Sequence, residues 1–464
     1  MMLLSLLLSC HKSPATDDSP QLQHSDDSPR DDSASDDSSG DDSTDDSADD
    51  TAPPGPVLVF DRPPRNVLMI VLDTLRRDAV GRYGGGGDTP TLDRLLAEGV
   101  ALDNQRSCSN WTLPSVLCVQ SGSYAWELGF PYEVETGPPG IVPEEVELVS
   151  EDLASRGYQA SLVSAQPFMS VPAGTAAGFG AVFYNVDYIA EQVVQAGLQR
   201  VNAFDLTQPW YLHLHFIDTH ALYSPPEAYR EALDALEPIP FDLDSEEGFQ
   251  DMLVSWNSLD SAEQALILQH LQARYRAELR YFDDELARLL TRLDEVGALE
   301  DTLVVFWSDH GEQLYQHGSA THTASMYEEE TAAVAFFWSP RLAARAWSGP
   351  TTHADLWPTV YAAMGWTGPA FTGQPVGQRP ADDAQHILRF RGEDSLQAVV
   401  VGDRKLIYAW DGQKELYHLD TDPGETQNLY DAADPEVIAL WERLSPEIEK
   451  VQTTLGGSPV DPGP

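Results

Sequence analysis

The sequence predicts an α/β chain: a large sandwich domain with a mostly parallel central sheet covered by helices on both faces, then a small C-terminal antiparallel sheet with one helix. Three observations predict it. Continuous apolar runs such as Val67–Leu72 and Leu303–Trp307 read as strands buried on both faces, the pattern of a parallel sheet. Helix signals alternate with these runs, as crossovers between parallel strands require. Beyond about His386 the runs shorten and tight turns join them, as in antiparallel hairpins. With 464 residues, 42% of them apolar, the chain can build one large α/β domain plus a smaller one, or two to three ordinary domains.

The elements follow in chain order. Leu3–Ser9 is apolar but too short to cross a bilayer, and it ends at Cys10. Residues 1–10 resemble the end of a bacterial lipoprotein signal, with Leu-x-Ser-Cys cut before an acylated Cys10. That implies an exported protein, held by lipid on the periplasmic or cell-surface side of a membrane. The alternative is an apolar start with no signal role. Residues 11–57 are Asp/Ser-rich; the stretch 13–56 holds 14 Asp and one base, Arg30. So few apolar side chains cannot offset ordering entropy, which predicts a self-repelling disordered tether.

The large domain is expected over 58–385. Val67–Leu72 is its first buried strand. Thr89-Pro90 opens a helix, with Pro90 in the first turn, and Gly99 closes it. Tyr158–Val163 and Tyr211–Phe216 read as strands. Ser261 with Gln264 makes a capping box for a long helix through about Val296. Leu303–Trp307 and Ala332–Trp338 are further buried strands. The second unit, 386–452, holds short strands at Leu396–Val401, Lys405–Trp410 and Glu415–Leu419, with a turn at Asp411-Gly412 and a final helix over about Pro435–Gln452. Residues 453–464 read as a loose tail.

Charge narrows the partners. The net charge is −48, and without residues 13–56 and Lys12 it is still near −36, from 61 acids against 25 bases. Such a surface repels nucleic acid, and a densely anionic polysaccharide unless the cleft is locally positive. Screening in a salty habitat is the bland explanation of the excess. Lysine occurs only at 12, 405, 414 and 450. Cys108 and Cys118 leave two readings: a disulfide in an exported protein, or two buried free thiols.

Sites in parallel sheets gather beyond the carboxyl ends of strands. Asp73 stands at one such end, where a carboxylate either caps a helix or binds metal. Asp309-His310-Gly311 stands at another. Its Asp and His offer a hard oxygen and an imidazole to one cation, and Gly311 permits close backbone approach. Asp73, Asp309 and His310 together make a three-ligand set with an open position. His322 lies 13 residues beyond Asp309, with His317 nearer. Either could serve a second metal or a substrate oxygen, or be an ordinary core or surface histidine. In Asn110-Trp111-Thr112-Leu113-Pro114-Ser115, Pro114 fits an early helical turn, which puts Thr112 at a helix N-terminus. There it is a nucleophile if a metal activates it, and a plain N-cap otherwise. The segment His215–Pro226, with Asp218 and His220 before a Pro-rich loop, lines a cleft or simply makes a turn at Asp218.

Their order resembles one family. Asn66 through Asp78, Asp88 to Asn104, Trp111 to Gly122, the His220 loop, Val304 to Glu329, His353 to Thr359 and Glu415 to Leu429 are similar, in turn, to the segments of the sulfatase branch of the alkaline phosphatase superfamily. The resemblance covers about 64–450. It departs at informative places. Family sulfatases convert a Cys or Ser of Cys-x-Pro-Ser-Arg to formylglycine; here that residue is Thr112 and the Arg position is Val116. The second Asp beside the first is Thr74, and the sulfate-holding lysines are missing. A Thr nucleophile is more similar to lipoteichoic-acid synthases and phosphoethanolamine transferases, which form a phospho-threonine.

The resemblance implies a metal-dependent hydrolase or transferase acting on a small, glycan-linked or lipid-linked anionic ester. Thr112 would attack in line, beside a metal bound by Asp73, Asp309 and His310. His220 and His322 would stabilise the oxyanion or protonate the leaving group, with Arg76, His220 and His317 near the substrate. Arg76 or Arg77 could instead cap the sheet. A His ligand favours Zn2+ or Mn2+, with Ca2+, usual in family sulfatases, as the alternative. Phosphate esters or diesters lead, sulfate esters are the rival substrate, and a non-catalytic lipoprotein binding module is the third reading.

Overall fold

A computed structural model describes residues 57–129, 142–143, 145–460 and 463. The signal-like segment, Cys10 and nearly all of the Asp/Ser-rich stretch lie outside the described residues. Among the described residues, no helix is long and apolar enough to cross a membrane.

The large unit opens with β1 (Asn66–Leu72), α1 (Pro90–Glu98), β2 (Val100–Leu102), β3 (Gln105–Arg106) and α2 (Thr112–Ser121). Then come α3 (Val149–Ser155), β4 (Gln159–Ser164), β5 (Ala181–Tyr184), α4 (Ala190–Ala203) and β6 (Trp210–Phe216). The long helix is α5 (Ser261–Glu295), followed by β7 (Thr302–Ser308), β8 (Ala335–Trp338), β9 (Arg345–Trp347), β10 (Thr351–Thr352) and α6 (Leu356–Met364). Eight strands form the main sheet in the order β5-β4-β6-β1-β7-β8-β2-β9. Neighbours from β5 to β7 are parallel; β8 runs antiparallel to both β7 and β2. The expected strand Ala332–Trp338 is therefore shorter, and reversed.

Alternation along β1 sends side chains to two separate cores. Leu68, Ile70 and Leu72 pack with α1, α4 and α5, while Val67, Met69 and Val71 pack with α2, α3 and α6. This two-faced burial is what the unbroken apolar run foretold. The N-cap of the long helix lies one residue before the expected one: Asp260 accepts from the Ala262 and Glu263 amides, and Glu263 accepts in return from Asp260 N. Aspartate at the N-cap also suits the helix dipole.

The C-terminal unit is the antiparallel sheet β11 (Gln385–Arg389), β12 (Leu396–Val401), β13 (Arg404–Ala409) and β14 (Lys414–His418), in that order, with α7 (Pro435–Leu455). The chain end is less loose than expected. The helix runs to Leu455, and Val460 exchanges bonds with Trp410 O and the Tyr408 hydroxyl. Leu113, Leu117 and Cys118 of α2 share a core with Val399, Leu406 and Trp410 of this sheet and Trp441 and Leu444 of α7. The small unit thus buttresses the helix that begins at Thr112.

Candidate active site

Four adjacent parallel strands, β4, β6, β1 and β7, deliver polar residues past their carboxyl ends. They are Gln166, the His220 loop, Asp73, and Asp309-His310. The chain turns sharply after Asp73, where Thr74 adopts φ 57°. That conformation costs a β-branched residue about 1–2 kcal/mol. The turn aims the Thr74 amide at Asp309 Oδ1, 3.0 Å away. Opposite, a Cβ added at Gly311 would lie 1.9 Å from Glu329 O. Gly311→Ala should therefore destabilise the protein by about 3 kcal/mol or more, because backbone must move. Urea unfolding of the metal-free variant measures this, and a loss under about 1 kcal/mol contradicts it.

Asp73, Asp309 and His310 are fully buried and place one ligating atom each within 4.8 Å of one another. Asp73 Oδ1 and Asp309 Oδ2 are buried and have no hydrogen-bond partner among the described residues. Burial and the facing Asp73 charge push the Asp309 carboxyl well above the usual range. Burial opposes the Asp73 carboxylate too, but the His215 bond and neighbouring imidazoles outweigh it and hold it low. Two orphaned acceptors facing each other in a dry site fit a divalent cation. Burial keeps His310 neutral. Its Nδ1 donates to Gly311 O at 2.8 Å, which leaves the Nε2 lone pair for a ligand.

Thr112 is the first residue of α2 and is 2% exposed. Its Oγ1 lies 3.3 Å from His310 Nε2 and 3.4 Å from Gln166 Nε2. The first turn of α2 offers the N–H groups of Thr112 and Leu113, Pro114 having none, and a helix start favours an anion. Of the two readings for Cys108 and Cys118, the structure has the disulfide, which closes a loop around Thr112. Loop closure of that length stabilises by about 3 kcal/mol.

The imidazoles of His310 and His220 lie 4.5 and 5.1 Å from that of His322, ring centre to ring centre. His322 Nδ1 donates to Glu312 at 2.9 Å. Burial opposes its charge, yet Glu312 prevails and lifts His322 to about 9. His220 is lowered by burial, with Asp73 only partly compensating. One ring is therefore a cation at neutral pH and the other is neutral.

Two expected substrate residues have partners within the protein. His317 stacks on Tyr327, faces Glu329, and its Nε2 donates to Gly424 O and Glu425 O at 3.1 and 3.3 Å. It joins the two units. Arg76 is buried, with its guanidinium on Asp78 and Glu312 O. Asp218 accepts from Ala190 N, the first amide of α4. Sequence reasoning gave no role to Gln166, which donates to Asp73 Oδ2 at 2.5 Å and reaches Thr112. His215, read only as part of a cleft-lining segment, has its Nε2 3.5 Å from Asp73, and Glu312 was given no role. The signal for Gln166 was its place two residues past a buried strand, the same logic that singled out Asp73.

The family model for sulfatases matches residues 65–366, more than half of the chain. The chain belongs to the sulfatase family. It is 24% identical over 280 residues to a choline-sulfatase of Rhizobium meliloti (strain 1021), covering 55% of this chain and 54% of the relative. It spans about half the length, or less, of the first curated relatives it matches, so membership does not carry over their activities. Among solved structures, BT4656 in complex with its substrate D-glucosamine-2-N,6-O-disulfate superimposes with a TM-score of 0.68 at 18% identity, covering 84% of this chain and 98% of that one. The phosphonate monoester hydrolase of Agrobacterium radiobacter gives 0.63 at 20% identity, covering 85% and 95%. At such identities the likeness shows the fold. Within this sulfatase-family fold, the helix-start position is a threonine.

Proposed function

We propose that this sulfatase-family chain is a metal-dependent hydrolase or transferase of phosphate esters or diesters with Thr112 as nucleophile. One observation carries the reading: the Thr112 hydroxyl sits at a helix start, 3.3 Å from His310 Nε2, beside two carboxylates with orphaned oxygens. A divalent cation bound by Asp73, Asp309 and His310 would supply charge for the nucleophile and the ester oxyanion. Thr112 Oγ gives up its proton to water as it forms the bond to phosphorus, and the ester oxygen leaves with the bonding pair, to be protonated by His322 or by water. Gln166 orients the hydroxyl while it holds Asp73. His322, cationic at neutral pH, donates to the oxyanion or protonates the leaving oxygen; neutral His220 flanks it. Water or an acceptor alcohol then attacks the phospho-threonine at phosphorus and frees Thr112. A sulfated threonine would be slow to clear, which favours phosphorus.

The imidazole ligand favours Zn2+ or Mn2+ over Ca2+. Sulfate-ester hydrolysis is the second reading, supported by the choline-sulfatase relative and the disulfated-sugar complex. Turnover of 4-nitrophenyl phosphate, bis(4-nitrophenyl) phosphate and 4-nitrophenyl sulfate with each metal decides between them. A phosphate preference supports the proposal, a sulfate preference replaces it, and no turnover with any metal favours a binding module. The same proposal places the protein outside the cytoplasm, tethered through acylated Cys10. Cys10→Ser in the full chain should move it from the detergent to the aqueous phase of a Triton partition; unchanged partition removes the anchor.

Acid–base behaviour gives a further test. His322 is raised to about 9, so activity should fall as pH rises past about 9 and the imidazolium is lost. The stability this pair adds is full below about pH 6.5 and fades through the same range. In Glu312→Gln, burial acts on His322 against only the weaker pull of the Asp73 and Glu330 charges. The alkaline limb of kcat/KM should then move from about pH 9 to about pH 7 or lower. A limb that stays in place removes His322 from the acid role.

A further inference from the structure

Glu330 is fully buried, and every group its carboxylate meets is a donor. Oε1 accepts from Gln313 Nε2 at 2.8 Å, from the Ser325 amide at 3.0 Å and from the Ser325 hydroxyl at 2.7 Å. Oε2 accepts from Asn110 Nδ2 at 3.0 Å. Asn110 Nδ2 also donates to Ser325 O at 2.7 Å, and Gly311 N donates to Glu330 O at 2.9 Å. The positions of these partners matter. Asn110 is two residues before Thr112, Gln313 is three after His310, and Ser325 is three after His322. One carboxylate thus grips the three segments that carry the nucleophile, a metal ligand and the cationic imidazole.

We propose that Glu330 is a positioning residue: it locks the Asn110 segment onto the His310 and His322 segments, so that the Thr112 hydroxyl stays within reach of His310. This rests on the reading of Thr112 as nucleophile. Glu330 touches none of the reacting groups, so it acts through the backbone it holds. As arranged, the ring meets both oxygens with donors, and turning the Asn110 amide over to accept instead would break its bond to Ser325 O. A glutamine turns an NH2 toward one of them, and a buried donor facing a donor is left unpaired. Burial raises the Glu330 carboxyl to about 7, against the pull of its donors at Ser325 and Gln313.

The test compares Glu330→Gln, Asn110→Ala and their double variant in the metal-loaded protein, with Thr112→Ala in parallel. Hydrogen exchange is followed over 107–113 and 66–72, and turnover is measured on bis(4-nitrophenyl) phosphate and 4-nitrophenyl phosphate. Glu330→Gln should lower kcat about 10–100-fold with KM and metal content within about twofold. Exchange over 107–113 should speed up about tenfold, with 66–72 unchanged. Asn110→Ala should act in the same direction, and the double variant should lose less than the product of the two singles. Wild-type exchange over 107–113 in Glu330→Gln overturns the proposal. So does a loss of activity that tracks a loss of bound metal. If Glu330→Gln does not fold, Asn110→Ala alone decides by the same two readouts. If Thr112→Ala keeps wild-type turnover, the nucleophile reading fails. If Thr112→Ala is inactive while Glu330→Gln matches wild type, only the role of Glu330 fails.

Discussion

Thr112→Ala should lower turnover of the preferred aryl ester by at least about 10^3-fold, while Thr112→Ser stays within about 10–100-fold of wild type. The expected loss is large because the hydroxyl is the atom that forms the bond. It stops short of abolition because the cation site, the helix amides and His322 remain to stabilise the oxyanion. Serine keeps an oxygen at the start of α2 but loses the methyl that limits its rotamers, so part of the pre-orientation goes. Thr112 is 2% exposed and its hydroxyl bonds only to His310 and Gln166 among the described residues, so its removal should change stability little. The control is rapid acid quenching during turnover, followed by intact-mass measurement. Wild type should carry the mass of one phosphoryl group, located on the peptide containing Thr112. Full activity in Thr112→Ala, or the phosphoryl group on another residue, removes the mechanism.

Asp309→Asn should weaken metal binding by more than about 100-fold and at the same time stabilise the metal-free protein. Both effects have one cause. Asp309 Oδ1 is already occupied by the Thr74 and His310 amides, at 3.0 and 2.8 Å. Oδ2 is orphaned and faces the Asp73 carboxylate. Asparagine keeps the first oxygen as an acceptor and turns the second into a donor, which suits Asp73 and repels a cation. The pH dependence follows from the direction of the shift. A carboxyl held well above its usual range when folded makes the metal-free protein less stable as pH rises from about 4 through that elevated value. Asp309→Asn should flatten that slope. In wild type, metal at a hundredfold excess over its dissociation constant should add about 2.7 kcal/mol, and the variant should show almost none of it. Thermal unfolding against pH, with and without Zn2+ or Mn2+, reads all three. Equal metal stabilisation of both proteins excludes Asp309 from the site.

The residues that sequence reasoning reached share a property. Asp73 and Asp309-His310 each end an unbroken apolar run, and Thr112 precedes a proline that fits an early helical turn. These are local patterns with long-range meaning, because a strand buried on both faces has to be central and its carboxyl end has to open on a crevice. The partners of His317 were not legible in the same way. His317 was weighed by its nearness to Asp309 along the chain, but the direction of a loop side chain depends on what packs against it. Here that is Tyr327 and the Gly424 turn, over a hundred residues away. Glu312 and Glu330 escaped notice because buried carboxylates inside acidic stretches look like the solvated faces common in a chain of charge −48.

The sequence by itself determined the α/β class, the strands that end in acids and histidines, and the threonine where its family carries cysteine or serine. These rest on hydrophobic periodicity and residue type, which neighbours in the chain decide. Only the tertiary structure decided the strand order that sets β4, β6, β1 and β7 side by side, the reversal of β8, and the partners of Gln166, Glu312, His317 and Glu330. Several of those depend on groups far apart in the chain, 54 residues for Gln166 on Thr112 and 220 for Glu330 on Asn110. Such meetings follow from the packing of whole elements, and no local pattern records them.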